Sequence, residues 1–92
     1  MAEKLEADLR HRLEALSREH PEERFAFIVT LRANAKSTSI EKEGMQVEQR
    51  VLEPPLLMGT MTPKQALAVA RLDSVVLVEE DQGGVHALDA PD

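Results

Sequence analysis

Ninety-two residues with no cysteine, and 17 acidic against 11 basic side chains for a formal charge of −6, describe one small acidic domain. The missing cysteines exclude a disulfide framework, a thiolate metal site and a thiol nucleophile. The charge argues against nucleic acid and against an anionic membrane surface, both of which are held by Lys and Arg.

The remaining totals narrow the class further. Two Phe are the only aromatics and lie in one apolar run, so exposed base-stacking platforms are not expected. A chain this short buries only ~60–65% of its unfolded surface, leaving little structure to enclose a cofactor pocket. No cofactor is expected.

Ala2 to Glu19 predicts an amphipathic helix. Leu5, Leu9, Leu13 and Leu16 fall on one stripe, and charged residues fill the rest of the surface. Asp8–Arg12 and Glu14–Arg18 are i,i+4 pairs in the favourable order. Pro21 disfavours helical geometry at His20 and ends the helix. The stripe can serve a sheet or the same stripe of a second copy, so a homodimer through these four leucines is a candidate.

Arg24 to Arg32 (RFAFIVTLR) is the clearest strand. Its β-branched, aromatic and nearly continuous apolar character suits a central strand covered on one face and flanked on both sides. Ala33 to Gly44 is polar and reads as a loop. Met45 to Leu52 predicts a second strand, with Met45, Val47 and Gln49 on one face and Gln46, Glu48 and Arg50 on the other. Pro54-Pro55 breaks the pairing, since neither residue has an N–H to donate. Leu56 to Met61 is a short third strand with Gly59 inside it.

Thr62-Pro63-Lys64-Gln65 opens a helix: Thr62 is the cap, Pro63 suits the first position, and Gln65 completes the capping box. Ala66, Leu67, Val69, Ala70 and Leu72 form its apolar face. After a turn at Asp73-Ser74, Val75 to Val78 is a fourth strand, ending in Glu79-Glu80-Asp81. Gln82 to Asp92, with Gly83-Gly84 and Pro91, carries no helix or strand pattern. The order is helix, strand, strand, strand, helix, strand, and the economical packing is one sheet with helices on one face.

Several pieces, in this order, resemble the pro-regions of subtilisin-like serine proteases and their free-standing inhibitor relatives. These are FIVTLR (Phe27 to Arg32), VEQRVL (Val47 to Leu52), GTMTPKQALAVARLDSV (Gly59 to Val75) and VVLVEEDQ (Val75 to Gln82). The likeness spans roughly Phe25 to Leu88, about two-thirds of the chain. It implies a ferredoxin-like α+β fold, an antiparallel sheet of four strands with two helices on one face. That family places a helix between its first two strands, where this sequence has a short polar segment. The expectation is that the N-terminal helix takes the vacant place. The chain then divides into the helix at 2–19, a propeptide-inhibitor-like body at 24–81 and a substrate-like tail at 82–92.

The resemblance also implies a function and a site. The sheet docks on the protease, and the tail lies in the substrate cleft by strand addition. Leu88 takes the place of the large apolar residue before the cut, Ala87 the small one before it, and Val85 the apolar one four back. His86 faces solvent. Gly83-Gly84 supplies the backbone freedom to leave the sheet. By position, Glu79 and Asp81 are the acids that cap the N-termini of two protease helices, where a carboxylate meets free N–H groups and the helix dipole. Without that likeness, the same acids read as a solvated strand end and the tail as terminal disorder.

Three function classes are therefore in play. The first is a protease inhibitor, which also assists the folding of its enzyme if it is a pro-region. The second is a non-catalytic interaction or dimerisation module. The third, a small enzyme or ligand-binding domain, is disfavoured. His11, His20 and His86 have no metal-ligand spacing, no serine sits in a nucleophile elbow, and Gly83-Gly84 precedes no helix. The first thirty residues hold no apolar signal core, which points to the cytoplasm for a free inhibitor; an excised pro-region is secreted or periplasmic.

Overall fold

The computed structural model describes residues 5–81, and their order is α1 (Ala7–Glu19), β1 (Phe25–Leu31), α2 (Thr38–Lys42), β2 (Gln46–Val51), β3 (Leu56–Met61), α3 (Pro63–Val69) and β4 (Val75–Glu80). The four strands form one sheet in the order β2-β3-β1-β4. Every neighbouring pair is antiparallel. This is the strand arrangement of a ferredoxin-like α+β sandwich.

β1 lies between β3 and β4, and its alternation settles which face is inside. Phe27, Val29 and Leu31 are buried, while Ala26, Ile28 and Thr30 are only half-buried. Leu57 and Met61 of β3, Val75 and Val78 of β4, and Leu9, Leu13, Ile40, Ala66 and Val69 of the helices join the same core. Each fully buried side chain of this size contributes about 1.5–3 kcal/mol relative to exposure. Both long helices lie on this face. α1 packs against α3, and at the sheet's edge Leu5 forms an isolated parallel bridge with Val78.

The structure differs from the sequence expectation in four places. The helix expected from Ala2 starts at Ala7 within the described residues, because Leu5 sits in the bridge to β4 and Glu6 is the N-cap residue. A leucine four residues ahead of Leu9 falls on the same side in either conformation, so its spacing does not distinguish them. The segment read as a loop contains α2, five residues long, anchored by the buried Ile40. The crossover therefore keeps a short helix, and α1 supplies the second long helix of the layer.

The other two differences are in the strands. The alternation expected across Met45 to Leu52 breaks at a bulge between Val47 and Gln49. Two residues oppose one there, which reverses the faces of everything after it. Val47 packs on the core. Arg50 turns toward the helices, where its Nη2 donates to Ser37 Oγ at 3.0 Å and Glu41 Oε2 at 3.1 Å. β4 runs two residues further than expected, through Glu79 and Glu80, because its pairing with β1 continues.

Two glycines are required by close approach. A Cβ at Gly59 would collide with the backbone carbonyl of Gln46 on β2, so this position lets β2 close onto β3. Gly44 has φ +117°, and a Cβ there would collide with the amide of Gln65. The expected capping box of α3 is present: Gln65 N donates to Thr62 Oγ1 at 3.2 Å and Thr62 N to Gln65 Oε1 at 2.9 Å. Arg24 ties these pieces together. Its Nη2 donates to Gly44 O at 2.9 Å and Thr60 O at 2.7 Å, its Nε to Thr60 Oγ1 at 3.2 Å, and its Nη1 to Gln65 Oε1 at 3.4 Å.

Candidate functional site: the open sheet face and the acidic end of β4

The sheet face turned away from the core carries the candidate site. The strand register sets its side chains in rows across the sheet. One row runs Val51, Leu56, Thr30 and Leu77. The next runs Gln49, Met58, Ile28 and Glu79, and a third Gln46, Thr60 and Ala26. The face thus grades from apolar at one end to polar at the other. Leu56, Met58, Ile28, Leu77 and Val51 are all half-buried, whereas their neighbours one residue along β1 and β3 are buried. The main core lies on the opposite face, and at the margins Leu77 borders a cleft with α1.

The acidic triplet is split by the strand's twofold alternation. Glu79 stands opposite Ile28 and is exposed. Glu80 stands opposite Phe27, on the helix side. There it meets Arg12 of α1 in a two-pronged pair, Nη1 to Oε1 at 2.8 Å and Nη2 to Oε2 at 2.7 Å. The Glu80 hydrogen bond raises the Arg12 pKa, against a smaller opposing desolvation, and the carboxylate's charge adds to the rise. Asp81 continues the pairing, its N–H donating to Ala26 O at 2.9 Å.

The sequence-derived site residues fall into three groups. Glu79 and Asp81 lie at the end of β4, with the side chain of Glu79 on the open face. Leu5, Leu9 and Leu13 are buried in the core of the chain itself and Leu16 is half-buried. Val85, His86, Ala87 and Leu88 lie outside the described residues. His11 and His20 are both exposed. Among the described residues no group of three His, Asp or Glu side chains is placed to hold a metal ion, and no helix is long and apolar enough to cross a membrane.

Two features escaped the sequence reading. The first is the partnership of Arg12 with Glu80, 68 residues apart. Its signal was present in the alternation of the triplet, which puts Glu80 opposite to Glu79 and Asp81. The i,i+4 pairing of Arg12 with Asp8 offered a competing local partner. The second is the apolar row ending at Val51 and Leu77. The bulge in β2 directs Val51 to the open face, and one in β4 between the partners of Thr30 and Leu31 resets the register there.

No family model, curated protein or solved structure matches the chain.

Proposed function

We propose that this domain binds and inhibits a subtilisin-like serine protease, docking through the open face of its sheet while the segment after β4 lies in the substrate cleft. The observation that supports this reading most is the composition of the sheet face turned away from the core. It joins half-buried apolar side chains from all four strands to an exposed carboxylate, Glu79, at the end of the strand that leads into the tail. An apolar patch with a polar rim is the ordinary signature of a protein-binding surface. In this reading Glu79 and Asp81 accept from the free N–H groups of protease helices, and Val85, Ala87 and Leu88 fill alternate subsites with His86 outward. A folded body lowers the entropic cost of presenting the tail, which separates an inhibitor from a substrate. The same docking would assist the folding of an enzyme synthesised with this domain.

The second reading is a non-catalytic interaction or dimerisation module. The same open face favours it, because the row Val51, Leu56, Thr30 and Leu77 would suit a second copy equally well. The series Leu5, Leu9, Leu13 and Leu16 suits it less, since the first three are already buried.

The test is a titration against a subtilisin, following hydrolysis of a small chromogenic peptide, with the full chain beside a version ending at Gly84. The expected result is inhibition by the full chain that the shortened chain loses. A full chain that stays folded and uncleaved yet leaves the protease untouched at micromolar concentration would remove the inhibitor reading. A mass that rises with concentration would then support the second.

A further inference from the structure

We infer that α1 is a clamp on the docking strand, with Arg12 as the positioning residue that fixes the end of β4. This rests on the reading that the end of β4 and the segment after it engage a protease. Three observations converge. Arg12 holds both oxygens of Glu80 at 2.7 and 2.8 Å, in the fork geometry that adds direction as well as strength. Leu5, just ahead of the same helix, bridges to Val78 two residues upstream of Glu80. Between them α1 and β4 frame a cleft of about 430 Å³ lined by Leu9, Arg12, Leu77, Val78, Glu79 and Glu80.

The consequence follows from strand geometry. Consecutive side chains of a strand point to opposite faces, so holding Glu80 on the helix side keeps Glu79 on the open side. It also fixes the rotation of the strand at the point where the chain continues beyond Asp81. β4 pairs with β1 along its length and with Leu5 at Val78, and the end of a strand is where fraying begins. The clamp resists that fraying, so Glu79 and Asp81 are held in one register against β1. α1 therefore does more than fill the helix layer: it makes the acidic strand end a rigid launching point.

The experiment compares Arg12→Gln, Glu80→Gln and the exchanged pair Arg12→Glu with Glu80→Arg. Amide hydrogen exchange of the free protein is read at Asp81, whose N–H donates to Ala26 O, and, as an internal reference, at Val29. Each single variant is expected to speed exchange at Asp81 by about two- to fivefold, the range that an ion pair of this exposure allows. Val29 should change less, and the exchanged pair should recover most of the loss. Against a subtilisin, the singles should weaken inhibition and speed cleavage after Asp81 by a similar factor, again with recovery in the exchanged pair. Unchanged exchange at Asp81 in both singles, or equal acceleration at Val29, would overturn the clamp. If the wild-type chain fails to inhibit while exchange responds as expected, the protease reading falls and the clamp on β4 stands.

Discussion

The two faces of one sheet are built from the same two inner strands, β1 and β3, yet they differ in what they require. On the helix side, Phe27, Val29, Leu31, Leu57 and Met61 are buried in a core closed by α1, α2 and α3. On the other side, Ile28, Thr30, Leu56 and Met58 alternate with them residue by residue and remain half-buried. Folding needs only the first face to be apolar. The apolar character of the second is not demanded by the core, and in an isolated chain it leaves apolar surface in water and gains only part of a full burial's stability. The difference teaches where to look for function: on the face whose composition the fold does not explain.

The largest expected effect is on the buried face. Phe27→Ala removes a fully buried aromatic from the middle of the core and should cost about 3–5 kcal/mol in urea unfolding. In a domain of this size that is a large part of the total stability. The opposite-face neighbour, Ile28→Ala, should cost markedly less. Equal losses at 27 and 28 would mean that the two faces are equally covered and would dissolve the comparison.

The next effect tests how the sheet's edge is held. Gly59→Ala places a Cβ into the Gln46 carbonyl, an obstruction of backbone by backbone that no side-chain rotation relieves. Overpacking of this kind costs about 1–3 kcal/mol or separates the strands locally. The expected result is a lowered midpoint with loss of exchange protection concentrated in β2. A Gly59→Ala protein of unchanged stability would show that β2 is not tightly paired to β3 there, and with it the rows of the open face would lose their outer members.

Most of the helix-covered face was legible in the sequence, for a simple reason. β1 carries seven residues of β-branched, aromatic and aliphatic character, and α3 announces its start with Thr62, Pro63 and Gln65. Local rules suffice where side-chain chemistry and backbone need agree. The failures lie where the decisive term is nonlocal. Five residues of α2 carry too little hydrophobic content to signal a helix, and Ile40 becomes an anchor only once the core exists around it. The bulge at Val47 and Gln49 depends on β3 closing in at Gly59, and a strict twofold count places Val51 and Arg50 on the wrong faces. Of the candidate site, the position of Glu79 on the open face was legible in the twofold alternation of the strand, while Arg12 was hidden behind its closer acid, Asp8.

A smaller effect marks the boundary between the faces. Thr62→Ala removes the acceptor of the Gln65 N–H and half of the capping box, an expected loss of about 1 kcal/mol. Thermal unfolding should register this as a drop of several degrees in a domain of about this length. Since Gln65 Oε1 also accepts from Arg24 Nη1 at 3.4 Å, the loss should not be additive with that of Arg24→Ala. Additivity would mean that the Arg24 cluster and the helix cap act independently.

The smallest expected change in stability carries the largest functional weight. Ile28→Gln with Leu77→Gln puts two amides on half-buried positions of the open face, where they can reach water. The cost should stay near or below about 1 kcal/mol, because each side chain gives up only part of a full burial. If that face is the docking surface, the same pair should weaken protease inhibition at least tenfold, since desolvated apolar contacts at the centre of an interface account for most of its affinity. The two readouts pull in opposite directions for the two faces: Phe27→Ala damages folding first and binding only through it, whereas the Ile28 and Leu77 pair damages binding with folding nearly intact. Should the pair leave inhibition unchanged, docking would have to be assigned elsewhere on the molecule. Should it instead lower stability as much as Phe27→Ala, the open face would be part of the core, and its apolar composition would need no partner to explain it.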